Sequence, residues 1–71
     1  MNADTFKGAW HNIKGSAKVQ WGKLTDDDVA QIDGHVERLL GVLQQRYGYA
    51  RDRAEREVTM FIDNAAAARE V

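Results

Sequence analysis

The sequence predicts an all-α fold, a small bundle of about four helices, and three observations support that class. Apolar residues recur every three or four positions along most of the chain, which places them on one face of a helix. Proline is absent, so nothing interrupts a long helical run. Alternation of apolar and polar residues, the pattern of a half-buried strand, is nowhere sustained.

An internal repeat predicts how these helices are organised. The six glycines, at positions 8, 15, 22, 34, 41 and 48, form two triplets with a spacing of seven, offset from each other by 26. At this offset "IKGSAKVQWGKLTDD" aligns with "LLGVLQQRYGYARDR". The chain therefore holds two copies of one unit: a helix, an aromatic–glycine stop, and the start of another helix. Because one helix pair cannot bury its apolar stripe alone, we expect both copies to share one core.

The periodic segments predict a single helical domain, 1–71, in which residues 4–64 form the core. The predicted helices cover residues 4–21, 26–33, 35–47 and 50–67. The tail, residues 65–71, lacks a large apolar face, and we expect it to be a fraying extension of the last helix. The boundary between the second and third helices is the least defined, because Gly34 would equally suit a kink in one continuous helix.

The glycines predict two kinds of local structure. Gly8, Gly15 and Gly41 lie inside helical segments, where glycine costs roughly 1 kcal/mol relative to alanine. They therefore indicate close helix approach or a local kink, with glycines that are merely tolerated as the alternative. Gly22 and Gly48 each follow an aromatic residue at the end of a periodic run, and both are predicted to be left-handed residues that end a helix.

Three adjacent aspartates, Asp26, Asp27 and Asp28, follow Thr25. A calcium-binding loop would need ligands at alternate positions, a glycine and a distal glutamate over about 12 residues, and that spacing is missing. Thr-Asp-Asp-Asp is instead the signature of a helix N-terminus, with threonine as N-cap and a carboxylate three residues later. The positive end of the helix dipole favours carboxylates in the first turn. The stretch predicts a helix start, not a cation site.

A basic and aromatic segment supplies the candidate contact residues for a protein partner or for nucleic-acid phosphates. These candidates are Arg46, Tyr49, Arg51 and Arg53. Glutamates interleave with the arginines, however, and Asp52 lies four residues before Arg56. That spacing favours ion pairs within the helix over contacts with a ligand.

Other side chains with chemical potential do not assemble into a site. His11 and His35 lie in different helices, and without cysteine they do not make a structural zinc site. Ser16 lies in mid-helix beside Gly15, where packing explains it. Because a small core leaves little room for a pocket, we expect no enzyme, no cofactor and no metal. Both tryptophans, Trp10 and Trp21, share the apolar stripe and are expected in the core.

Residues 7–28 and 34–58 resemble the CsbD-like family of small bacterial proteins. The resemblance covers roughly residues 4–60 and is carried by Trp10, Lys14-Gly15, Trp21-Gly22-Lys23-Leu24-Thr25 and Tyr47-Gly48-Tyr49. It implies a SAM-domain-like fold of two helical hairpins packed at a steep angle, a link to general stress responses, and no catalytic residues. After about residue 59 the sequence "TMFIDNAAAAREV" departs from the aromatic-rich ending associated with the family.

The resemblance alone implies a non-enzymatic, stress-associated accessory protein. A small nucleic-acid-binding helical module and a SAM-like protein-interaction adaptor are the alternatives. With a formal net charge of −1, no global field attracts nucleic acid, so an unidentified protein is the favoured partner. No apolar run approaches the roughly 20 residues that span a bilayer, and the N-terminus lacks a signal-peptide pattern. We therefore expect a cytoplasmic monomer without a membrane segment.

Overall fold

The computed structural model describes the backbone of residues 3–69 and the side chains of residues 4–64. Within that part of the chain the regular structure is four α-helices and no strands, which confirms the predicted class. The helices are α1 (Ala3–Gln20), α2 (Asp26–Ile32), α3 (Val36–Tyr47) and α4 (Arg51–Arg69). The predicted fraying of the tail falls mainly on side chains outside the described residues, although the backbone of α4 is helical as far as Arg69.

Side chains from all four helices and from the α1–α2 loop form one core. Both tryptophans lie in it, as expected: Trp10 packs beside Phe6, and Trp21 lies against Phe61 of α4 with ring centroids 4.9 Å apart. The buried apolar residues are Phe6, Ala9, Trp10, Ile13, Ala17, Trp21, Leu24, Val29, Ile32, Leu39, Leu40, Leu43, Ala54, Val58 and Phe61.

The third helix holds the bundle together, because it packs against the other three. Its most extensive contact is with α4, and α1 lies across both α3 and α4. The short helix α2 packs on α3. The two halves of the repeat therefore share one core, while the steep crossing angle implied by the resemblance stays a prediction.

The repeat is visible in the core, although not at every position. Phe6 and Ile32, which are 26 residues apart, are both fully buried. At the aromatic stops the equivalence is weaker, because Trp21 is 2% exposed whereas Tyr47 is half-buried. The first stop therefore anchors the core and the second lies at its edge.

Two left-handed residues separate α2 from α3, so these helices are distinct and not one kinked helix. Asp33 has a φ of 45° and Gly34 a φ of 79°. A Cβ at Gly34 would lie 3.0 Å from the Cα of Lys7, so α1 passes directly against this turn. Close approach of a helix to a glycine therefore occurs at Gly34, between α2 and α3, where α1 passes.

The predictions for the other glycines hold at Gly48 and fail at the remaining four. The prediction of close helix approach at Gly8, Gly15 and Gly41 is wrong, because a Cβ atom built on any of them would meet no atom within 4 Å. Gly48 is left-handed as predicted, with a φ of 69°, and its N–H donates to the carbonyl of Gln44. Gly22 is not left-handed. There the chain leaves α1 through a turn in which the Leu24 N–H donates to the carbonyl of Trp21, and such a turn needs no positive φ.

Candidate functional site

The two aromatic–glycine stops meet at one place, which we call the loop junction. It comprises Lys23, Thr25, Asp28, Arg46, Tyr47, Tyr49 and Arg53. The backbone N–H of Lys23 donates to the hydroxyl oxygen of Tyr47 at 3.1 Å, and the Lys23 ammonium lies 5.1 Å from the centroid of that ring. The loop after α1 thus binds the end of α3, and residues that carried the family resemblance contact one another.

A reciprocal capping box starts α2, as the sequence predicts. The Thr25 hydroxyl accepts a hydrogen bond from the Asp28 N–H at 3.1 Å, and the Asp28 carboxylate accepts one from the Thr25 N–H at 3.1 Å. The backbone of Thr25 is extended, with φ −93° and ψ 168°, as an N-cap residue requires. Two N–H groups that have no partner within the helix are satisfied by these two bonds.

The three aspartates have different surroundings. Asp28 is 5% exposed and receives a two-pronged contact from Arg46 of α3, whose Nε lies 3.0 Å from Oδ2 and whose Nη2 lies 2.9 Å from Oδ1. The hydrogen bond from Arg46 and then that from the Thr25 N–H lower the pKa of Asp28 to about 2. Asp26 is exposed and pairs with Lys18, which lowers its pKa. Asp27 is exposed and has no partner among the described residues.

The capping box predicts a moderate loss of stability when its hydroxyl is removed. Thr25→Ala should lower the free energy of unfolding by about 0.5–2 kcal/mol, as loss of an N-cap side chain does. Chemical denaturation measures this loss. Thr25→Ser keeps the hydroxyl and is the matched control, so equal losses in the two variants would contradict the capping role. Calcium should change the stability of neither variant.

The Asp28 carboxylate predicts a dependence of stability on pH. Because its pKa in the folded protein lies below its value of 3.8 in an unfolded chain, the folded state favours the ionised form. The resulting stabilisation is complete above about pH 5 and is lost as the pH falls through about 4 towards 2. Asp28→Asn should flatten the acid limb of a pH series of thermal unfolding, whereas Asp27→Asn should leave its slope largely unchanged.

The aromatic part of the junction is a stack of two tyrosine rings, and a cation lies over each of them. Tyr47 and Tyr49 stack with centroids 5.2 Å apart, and the guanidinium of Arg53 lies 4.3 Å from the centroid of Tyr49. The Lys23 ammonium lies over the Tyr47 ring. Contacts of this type contribute roughly 0.5–1 kcal/mol at exposed sites. The candidate contact residues Tyr49 and Arg53 are therefore in contact with other parts of the protein itself.

The remaining candidate residues are also paired within the molecule. Arg46 is held by Asp28, and Arg51 donates to both carboxylate oxygens of Glu37 at 2.9 and 2.8 Å and to Glu55 at 2.9 Å. The structure brings Tyr49 and Arg53 together but directs Arg46 towards α2 and Arg51 towards α3. The three candidate arginines are thus each paired with a carboxylate of the protein itself.

The predicted ion pair between Asp52 and Arg56 does not form, and neighbouring residues form such pairs instead. Asp52 lies in the first turn of α4, and its carboxylate accepts a hydrogen bond from the N–H of Arg53 at 2.9 Å. Free N–H groups in a first helical turn compete successfully for a short acidic side chain. The intrahelical ion pairs form one residue earlier and one later, as Arg51–Glu55 and Arg53–Glu57.

The two histidines and the serine do not come together to form a site in the structure. His11 and Ser16 are exposed on α1, so packing does not explain Ser16, and His35 is the N-cap of α3 without a side-chain cap bond. Over the described part of the chain, no group of three or more histidine and carboxylate side chains is placed to hold a metal ion.

Over the same residues, no helix is both long and apolar enough to cross a bilayer. The grooves along α2–α3 and α4 are shallow and open.

Comparison with known proteins places the residues of the loop junction within one family match. The model of the family described as CsbD-like matches residues 4–56, which is most of the chain and includes the whole loop junction. The chain belongs to the CsbD-like family. The resemblance carried by Trp10, the Trp21–Thr25 stretch and the Tyr47–Tyr49 stretch is confirmed, and the match ends close to where the tail departs from the family pattern.

Relatives of this CsbD-like chain are found across distant bacteria. UPF0337 protein PA4738 of Pseudomonas aeruginosa is 52% identical over 63 residues, which cover 89% of this chain and 97% of that protein. UPF0337 protein pc0632 of Protochlamydia amoebophila is 51% identical over 63 residues, covering 89% and 96%. UPF0337 protein YjbJ of Escherichia coli K12 is 53% identical over 58 residues, covering 82% and 84%. The similarity thus extends over nearly the whole length of these small proteins.

Proposed function

We propose that this CsbD-like protein is a non-enzymatic, stress-associated accessory protein that acts as a cytoplasmic monomer through contacts of its surface with other macromolecules. The link to stress comes from the family to which the chain belongs. The observation that carries the rest is the engagement of the most strongly shifted carboxyl group, that of Asp28, in a capping box and an ion pair between helices.

This engagement distinguishes a structural role from a catalytic one. Catalytic carboxyl groups with shifted pKa values face a cleft in which a substrate can meet them. The Asp28 carboxylate instead meets Arg46 and the Thr25 N–H, so its hydrogen-bonding capacity is used to join α2 to α3. The role of this pair is therefore to stabilise the fold, and functional contacts are left to the charged outer faces of the helices.

Genetic complementation tests this proposal. A strain that lacks the gene should survive osmotic and stationary-phase stress less well than its parent, and the wild-type gene should restore survival. Single substitutions of exposed titratable residues, His11→Gln, Asp27→Asn and Arg56→Gln, should each leave most of the protection, because a contact surface distributes its effect. Unchanged survival of the deletion strain would contradict the stress role. Complete loss of protection from one of these variants, if it remains folded, would indicate catalysis.

Isolation of partners tests the mode of action. The protein should co-purify with other macromolecules from stressed cells, and repeating the isolation after nuclease treatment should separate protein partners from nucleic acid. Sedimentation at high protein concentration should give the mass of a single chain. A discrete dimer would contradict the monomer and would favour a self-associating adaptor.

A further inference from the structure

One face of α1 carries a continuous row of basic side chains. Lys7, His11, Lys14 and Lys18 follow one another at intervals of four, three and four residues, which places them on the same side of a helix. All four are exposed, and the row extends for about 16 Å along the helix axis. We call this row the cationic face of α1.

The charges of this face are less neutralised than those of the arginines that the sequence offered as contact residues. The side chains of Lys7, His11 and Lys14 form no ion pair or hydrogen bond with the described residues. Lys18 pairs with one exposed carboxylate, that of Asp26, and a surface pair of this kind contributes little stability. By contrast, Arg46 donates two hydrogen bonds to the Asp28 carboxylate, and Arg51 pairs with two glutamates.

The composition of the helix surface beside this face indicates the class of partner. Gly8 and Gly15 lie beside the lysines with open space around them, so a ligand can come close to the helix backbone. Val19, at 86% exposed, is the large apolar side chain that α1 presents to solvent, and the exposed surface of α1 carries no aromatic residue. Protein interfaces are depleted of lysine and depend on aromatic or arginine anchors, and a membrane surface requires an apolar face.

We propose that the cationic face of α1 binds the phosphate backbone of nucleic acid without sequence preference. Lysine ammonium groups contact phosphates as point charges, and such contacts position a protein without reading bases. Each strand of a duplex carries one charge per about 3.4 Å, so a face about 16 Å long lies beside about five phosphates of one strand. This assignment rests on the proposed function, because it names the macromolecule that the accessory protein contacts.

The strength of this contact follows from the number of lysines. Three phosphate contacts, from Lys7, Lys14 and Lys18, give a slope of about −2.7 for the logarithm of the binding constant against the logarithm of salt. Binding should therefore weaken about 40-fold between 50 and 200 mM salt. With a net charge of −1 and only lysines as the proposed phosphate contacts, the affinity is expected to be low at physiological salt and measurable at low salt.

Fluorescence anisotropy with the full-length protein and a labelled duplex DNA of mixed sequence tests the proposal. The double variant Lys7→Gln, Lys14→Gln should reduce the magnitude of the salt slope by about 2. The matched control, Arg51→Gln with Arg53→Gln, changes the net charge by the same amount but removes arginines that are already paired with glutamates. Its slope should stay close to that of the wild type. Circular dichroism should show that both variants remain folded.

Several results would overturn the assignment. Equal slopes in the two double variants would show that net charge, not this face, governs binding. Absence of wild-type binding at about 20 mM salt would remove the activity altogether, since electrostatic binding is strongest there. Equal affinity for polyglutamate would assign the face to an acidic protein, and binding to anionic vesicles would assign it to a membrane.

Stress survival separates failure of this inference from failure of the proposed function. If the lysine variant loses both DNA binding and protection, the contact is the protein's activity and the inference is supported. If the wild type protects cells but does not bind DNA, the inference is overturned and the proposed function stands with a different partner.

Discussion

Replacing Trp21 with alanine should lower the free energy of unfolding by about 3–5 kcal/mol, the usual cost of truncating a core aromatic residue. The side chain is 2% exposed and packs against Phe61 across the bundle, so its loss leaves a cavity between the end of α1 and α4. Domains have net stabilities of about 5–15 kcal/mol, and one this small lies near the lower end. Chemical denaturation followed by the signal of Trp10 measures the effect. A mild loss would place Trp21 at the surface and favour a role in partner binding.

A second substitution at the same position separates the ring from its polar group. The Nε1 atom of Trp21 is buried and has no hydrogen-bond partner among the described residues. An unpaired buried donor costs about 1–3 kcal/mol, so Trp21→Phe removes a cost together with part of the ring. Its loss of stability should be well below that of Trp21→Ala. Equal losses would show that the indole N–H contributes to stability and is satisfied in solution.

Gly34→Ala should be nearly as damaging, lowering the free energy of unfolding by about 2–4 kcal/mol. A left-handed backbone costs an alanine about 1–2 kcal/mol, and overpacking adds a further 1–3 kcal/mol or so. Both conditions apply here, because the φ of Gly34 is 79° and an added Cβ would lie 3.0 Å from the Cα of Lys7. The obstacle is backbone and cannot move aside as a flexible side chain would. Thermal or chemical unfolding of the purified variant gives the value.

The other glycines provide controls for this prediction. Alanine at Gly8, Gly15 or Gly41 should raise stability by as much as about 1 kcal/mol, because each lies in a helix and faces open space. Gly48→Ala should fall between these and Gly34→Ala, since its φ is positive but its surroundings are empty. A loss of stability in Gly41→Ala would contradict the open surroundings of that position.

The helices could be predicted closely because their signals are local. The expected ranges 26–33 and 35–47 correspond to Asp26–Ile32 and Val36–Tyr47, and the capping box at Thr25 was expected from four consecutive residues. Periodicity and caps are properties of a few neighbouring residues, so they can be interpreted without knowledge of the fold. The core tryptophans followed from the same periodicity.

The contacts between helices could not be predicted in this way. Asp26, Asp27 and Asp28 all lie in a first turn, and the local sequence identifies Asp28 as the carboxylate of the capping box, but it does not reveal the contact with Arg46, eighteen residues later. Gly22 and Gly48 both follow an aromatic residue, yet only Gly48 adopts a positive φ. Arg51 pairs with Glu55 one turn later, as spacing within the helix indicates, but its other partner is Glu37 of α3, fourteen residues earlier. Each outcome depends on a neighbour that is distant in sequence.

The shortness of α2 makes stability uneven within the bundle. A seven-residue helix is well below the roughly 12–15 residues at which isolated helices become marginal, so α2 persists only while its cap, its buried Val29 and the Asp28–Arg46 pair hold it on α3. Opening of this segment exposes little apolar surface compared with separation of α3 from α4. The amide protons of Val29 and Asp33 should therefore exchange with solvent through a small, local opening, while those in the middle of α3 exchange only when the whole chain unfolds.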